Sequence, residues 1–207
     1  MNRTPWWRWK SADPRVPEHR TIVVVDMAGS GSWHNQVQLR ARAALTDAVR
    51  AALRGAGIPR HSVAVEDRGD GMILLFPATV PKVVILDPAI RLLAEGVHAH
   101  NTTSGDPRIR LRLSVHAGEV HRHGRGWAGT DLNTACRLVN AAPLYDLLSE
   151  HPGTDLALVL SDVIYQGTAR HRYRDIDPAT YRPVSVQAKE LRTTAWLTAM
   201  RSAAAWS

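Results

Sequence analysis

LRLSVHAGEVHRHGRGWAGTDLNTACRL, residues 111 to 138, is the stretch whose reading decides the fold. It opens as a strand with strict alternation, Leu111, Leu113 and Val115 on one face and Arg112, Ser114 and His116 on the other. A glycine-rich corner follows, His123-Gly124-Arg125-Gly126, with the composition of a hairpin turn. A helix then opens at Thr130 or Asp131, either of which can cap it. On that helix Asn133 and Arg137 stand four residues apart and project from one face. An amide beside a guanidinium, just past a glycine turn, suits an oxyanion or a phosphate. Taken alone, the same residues fit an ordinary surface helix better.

Working outward, Thr21–Asp26, TIVVVD, is a β-branched run that predicts a buried strand. A flexible loop, Ala28–Ser32, leads to a helix over His34–Arg54 that Gly55 or Gly57 stops. Ser62–Arg68 and Met72–Phe76 read as a hairpin around the tight turn Gly69-Asp70-Gly71. A second helical stretch starts at Pro81, breaks near Asp87-Pro88 and continues from Ala89 to His100. With the strand Ile109–His116 the order is βαββαβ, an α+β, ferredoxin-like core. A C-terminal extension follows the Asn133 helix: a short segment over Tyr145–Ser149, then the strand Leu156–Leu160, a loop with Tyr173 and Tyr181, and closing strands Val184–Ala188 and Thr193–Leu197. The domain is expected over residues 20–198, between an arm, 1–19, and a tail, 199–207. The arm carries Trp6, Trp7, Trp9, Arg8 and Lys10 and is expected to pack on the domain or a second subunit rather than on a membrane surface.

The chain has 207 residues, room for one domain with a full core. A formal charge of +7 favours a polyanionic partner: nucleotide, nucleic acid or anionic lipid. RNA-binding sheets display aromatics for base stacking. The polar strand positions Glu66, Arg68, Arg110, Arg112, Ser114 and His116 include none, which argues against nucleic acid. Cys136 is the single cysteine, so no intramolecular disulfide forms. No apolar run approaches the roughly 20 residues that cross a bilayer. No signal-peptide core is present, and a cytoplasmic location is expected.

In a βαββαβ sheet the first and third strands are antiparallel neighbours, so Asp26 and Asp70 meet at one sheet end. Two uncompensated carboxylates at close range are costly unless one is protonated or a cation binds. Removing either one is then expected to hold or raise stability in metal-free buffer. Oxygen-only ligands suit Mg²⁺ or Mn²⁺. The alternative is that Asp26 caps its loop and Asp70 favours its turn. The loop with Gly29 and Ser30 lacks the lysine of a P-loop, yet it leads into a helix N-terminus and can cradle phosphates. The helix-side strand residues are Val63, Val65, Ile109, Leu111, Leu113 and Val115. The opposite face holds Glu66, Arg68, Arg110, Arg112, Ser114 and His116, and is expected to form a hydrated cleft between two protomers.

His116-x-Gly118-Glu119-Val120 followed by Gly129-x-x-x-Asn133-x-Ala135-x-Arg137-Leu138 resembles the signature of class III nucleotide cyclase catalytic domains. Asp26-Met27-Ala28-Gly29-Ser30-Gly31 resembles their D-[IV]-x-G-F-T, and Glu66-Asp67-Arg68-Gly69-Asp70 their [KE]-x-x-G-D. The Phe-Thr pair is replaced here by Ser30-Gly31. The resemblance implies that Asp26 and Asp70, with Met27 beside them, hold two Mg²⁺ or Mn²⁺ ions. It implies that Asn133 and Arg137, from the opposite subunit of a homodimer, bind the ribose and the transition-state phosphate. Lys189, near the penultimate strand, matches a family lysine. Glu66 falls where guanylate cyclases carry Glu, and the second base selector falls at Gly126. A carboxylate accepts from guanine's N1–H and amine together, so Glu66 favours GTP, with a pyrimidine triphosphate next if the space at Gly126 closes over it, and ATP last. The function implied is a nucleotide cyclase that turns a nucleoside triphosphate into a 3′,5′-cyclic nucleotide and diphosphate. The alternative is a non-catalytic cyclase-fold regulator that binds nucleotide or dimerises.

Overall fold

The computed structural model of the chain describes residues 16–124 and 126–200, so the expected arm and tail lie almost wholly outside the described residues. The first strand, β1 (Glu18–Met27), is longer than its apolar run, because His19 and Arg20 continue the ladder opposite Glu119 and Gly118. Then come α1 (Asn35–Gly55), β2 (Ala64–Asp67) and β3 (Gly71–Pro77). The next helical stretch breaks as the sequence predicts. A turn, α2 (Lys82–Val84), is separated from α3 (Arg91–Thr103) by Asp87, which is extended at φ −146° and ψ 117°. Pro88 has no N–H to continue the helix.

β4 (Leu111–His123) runs seven residues past the expected end at His116. Its extension pairs with the start of β1 and with the short β5 (Gly126–Ala128). α4 (Thr130–Val139), α5 (Ala142–Glu150), β6 (Leu156–Ser161), α6 (Asp162–Gly167), β7 (Arg182–Ala188) and β8 (Leu191–Met200) complete the order. α6 was not legible in the sequence, since six residues are too few to show helical periodicity. The sheet order is β2-β3-β1-β4-β6-β8-β7, with β5 hung on β4. Among the described residues only the β4–β6 pair is parallel.

Alternation sorts the core into two layers. Val23, Val25, Leu111, Leu113 and Val115 face α1 and α3, where Leu45, Val49, Leu93 and Val97 meet them. Ile22, Val24, Ile73 and Leu75 face the other way and pack with Leu132, Ala135 and Val139 of α4. This corrects the hydrated second face expected from its polar residues: α4 of the same chain covers its middle and buries Ser114, and Tyr145 of α5 covers the buried Arg112. What stays open is the end of that face where β1, β3 and α4 converge.

Candidate active site

The open end is built by close approach of β1 and β3. Their ladder ends at Asp26 opposite Gly71, and the Met27 N–H donates to the Asp70 carbonyl at 3.0 Å. A Cβ at Gly71 would lie 2.2 Å from the Val25 carbonyl oxygen, so glycine alone lets the strands meet here. Gly29, at φ +75°, turns the chain back. Ser30 is thereby buried, and its hydroxyl donates to Asp70 Oδ2 at 3.0 Å and to the Met27 carbonyl at 3.4 Å. The Gly29-Ser30 loop thus braces Asp70.

Asp26 has a partner that sequence reasoning missed. Arg112 stands opposite it on β4 and donates to Asp26 Oδ2 from Nε at 3.0 Å and from Nη2 in a second contact. Arg112 is 7% exposed, and its guanidinium lies 3.8 Å from the Tyr145 ring centroid on α5. Its Nη1 is buried without a partner among the described residues. The expectation that the two aspartates mainly repel each other is therefore corrected: one of them is already neutralised. The signal was present only in the register of β1 on β4.

The His-x-Gly signature docks α4. Ser114 donates to the Ala135 carbonyl at 2.7 Å, and Ala135 is fully buried. Asp131 Oδ1 bonds His116 Nε2 at 3.1 Å, and Asp131 Oδ2 accepts the Glu119 N–H at 2.6 Å. A Cβ at Gly118 would lie 2.0 Å from that same oxygen. His116, Gly118 and Ala135 thus position the helix, and Asn133 is left exposed on its open side.

A cleft of about 420 Å³ results, lined by Asp26, Arg68, Asp70, Trp127, Asn133 and Cys136 among others. Burial pushes the Cys136 thiol up, opposed by the nearby Arg68 charge and reinforced by Glu66. Glu66 bridges two lining residues: Oε1 accepts the Trp127 N–H at 2.8 Å, and Oε2 accepts from Arg68 Nη2 at 2.6 Å. A Cβ at Gly126 would lie 2.9 Å from Glu66 Oε1. The space expected at Gly126 is thus taken by Glu66 itself.

Arg137 and Lys189 do not line this cleft. Arg137 pairs with Glu190 at 2.6 Å, and Lys189 is exposed at φ +53° in the turn between β7 and β8. One chain therefore brings together Asp26, Asp70 and Asn133, with Glu66 behind Arg68 and Trp127, while Arg137 and Lys189 are held apart. Asn133, expected with Arg137 from the opposite subunit, thus lines the cleft of its own chain. Among the described residues no three His, Cys, Asp or Glu side chains converge on a metal position. The donors that line the corner are carboxylate oxygens, from Asp26 and Asp70, while Met27 is buried behind them and its carbonyl accepts the Ser30 hydroxyl. That set fits a hard divalent cation such as Mg²⁺ or Mn²⁺.

The sequence matches no protein-family model and no curated protein. The structure does match solved proteins. A guanylyl cyclase superimposes with a TM-score of 0.64 at 14% identity, over 90% of this chain and 93% of that one. The adenylate/guanylate cyclase/hydrolase from Silicibacter pomeroyi gives 0.60 at 19% identity, over 89% and 98%. The adenylyl cyclase CyaB from P. aeruginosa gives 0.57 at 10% identity, over 90% and 96%. The chain has the α+β fold of class III nucleotide cyclase catalytic domains.

Proposed function

We propose that this chain, built on the class III cyclase fold, is a nucleotide cyclase acting on a nucleoside triphosphate. The observation that carries the reading is the convergence of Asp26, Asp70 and Asn133 on one cleft at the open sheet end. Asp26 and Asp70 would hold Mg²⁺ or Mn²⁺, which when bound neutralises the triphosphate and acidifies the ribose 3′-hydroxyl. Ser30 keeps Asp70 aimed, and Asn133 orients the ribose so that its 3′-oxygen stands in line with the α-phosphorus. Attack there releases diphosphate. Arg137 stabilises charge on the α-phosphate. Since Arg137 stands outside this chain's cleft, it is taken from the second subunit of a homodimer, with Lys189 beside it.

The test is incubation with each of the four nucleoside triphosphates and Mn²⁺, with cyclic products detected by mass spectrometry. Mixing Asp70→Ala with Arg137→Ala protein is expected to restore part of the activity that each lacks. No recovery after demonstrated subunit exchange would mean a site complete within one chain. The second reading is a non-catalytic nucleotide-binding protein, favoured by the Asp26–Arg112 pair, which neutralises one of the two carboxylates. Absence of cyclic product from all four triphosphates decides for it.

A further inference from the structure

Glu66 is the residue whose carboxylate would read a base, yet both of its oxygens are engaged. One accepts the Trp127 N–H at 2.8 Å and the other the Arg68 guanidinium at 2.6 Å. Its side chain is 17% exposed, against 54% for Arg68. Gly126 offers no side chain, and a Cβ there would meet Glu66 Oε1 at 2.9 Å. The Trp127 ring is occupied as well, with the Arg20 and Arg122 guanidiniums 4.8 and 4.5 Å from its centroid. None of these groups is free to meet a nucleobase.

Arg68 is. It follows β2 directly, and its guanidinium reaches back to Glu66 Oε2. Its N–H donates to the Gly71 carbonyl at 2.9 Å, which fixes the turn, and its side chain lines the cleft. Cys136 of α4 lines the same cleft. A guanidinium carries five N–H donors and no acceptor. Glu66 takes one of them and, by doing so, orients the rest.

We propose that Arg68 reads the base, and that the cleft selects one presenting a keto oxygen, guanine or uracil, over one presenting an amine there, adenine or cytosine. Guanine accepts a guanidinium through O6 and N7 together. Uracil accepts through O4. Adenine and cytosine turn amine donors toward a donor, which costs affinity rather than adding it. Glu66 acts through Arg68 as a positioning residue. The inference rests on the nucleotide-binding reading above and corrects its expected base reader.

The test measures binding of the 3′-deoxy forms of GTP, UTP, ATP and CTP by calorimetry with Mn²⁺, since none of them can cyclise. The parent is expected to bind the keto pair about tenfold more tightly than the amino pair. The guanine and uracil arms tell purine from pyrimidine. Arg68→Met is expected to bring all four within about twofold. Glu66→Gln, which keeps an acceptor oxygen for Trp127, is expected to retain the preference at lower affinity. Binding of all four with a ratio that Arg68→Met leaves unchanged overturns the inference alone. So does a parent that prefers adenine or cytosine, or a preference that Glu66→Gln abolishes while Arg68→Met spares it. If none of the four binds, the nucleotide-binding reading itself falls and takes the inference with it.

Discussion

Asp26 and Asp70 share a cleft but not an environment. Asp26 lies against the buried Arg112, while Asp70 is exposed and takes one hydroxyl from Ser30. The two alanine variants should therefore differ. Asp26→Ala strands a guanidinium that is 7% exposed, and is expected to cost about 3 kcal/mol in metal-free buffer. Asp70→Ala loses one hydrogen bond at an open site and is expected to cost about 1 kcal/mol. Urea denaturation with a chelator present measures both. Equal, small losses would mean that Arg112 does not depend on Asp26. Arg112→Met leaves Asp26 without its cation, so Mn²⁺ should raise the melting temperature of that variant more than that of the parent. The acidic pair was legible from topology, whereas its partner was not. Arg112 reads in the sequence as one of several polar alternation positions, and nothing local distinguishes it from Arg110.

At the scale of elements, α4 depends on how β4 receives it. The helix buries Leu132, Ala135, Leu138 and Val139 and ties its first turn to the strand through Asp131. Gly118→Ala puts a methyl 2.0 Å from Asp131 Oδ2, so the carboxylate must leave both of its partners. The expected cost is about 2 kcal/mol, with faster amide exchange confined to α4 and the hairpin of β4 and β5. Pairing it with Asp131→Ala should recover part of that loss, because the two changes act on one contact. Additive costs in the double variant would mean that the glycine serves something other than Asp131. The spacing from His116 to Arg137 is readable as a family pattern. That His116, Gly118 and Ala135 are docking residues, leaving Asn133 exposed, becomes visible only when strand and helix are in contact.

Across the whole molecule, one carboxylate ties the two halves together. Asp155, at the head of β6, is 4% exposed and accepts from His98 and Asn101 of α3 and from Arg108 before β4, at 2.8, 2.7 and 2.7 Å. Burial alone would raise its pKa, but the hydrogen bonds from Arg108, His98 and Asn101 hold it below the usual carboxylate range. A depressed folded pKa stabilises the fold above the ordinary aspartate value of about 3.9, and that stability is lost as pH falls through the folded pKa. Asp155→Asn should therefore unfold more readily at neutral pH, by about 2 kcal/mol, and show a shallower loss of stability below pH of about 4. Denaturation series from neutral to acid pH measure both. Parallel pH profiles for the two proteins would remove Asp155 from the acid transition.

The chain's local patterns determined the element order, the two sheet faces and the meeting of Asp26 with Asp70, because alternation and helical spacing are properties of neighbours in sequence. They could also mark Asn133 and Arg137 as one face of one helix. Tertiary structure decided the rest. It laid α4 over a face whose polar residues promised water, since the docked helix offers Ser114 the Ala135 carbonyl and His116 Nε2 the Asp131 carboxylate. It paired Asp26 with Arg112 and folded Glu66 into the space beside Gly126. It also kept Arg137 with Glu190, away from the acidic corner. Each of these joins residues that are remote or differently placed in the chain, and strand register and helix packing set such contacts.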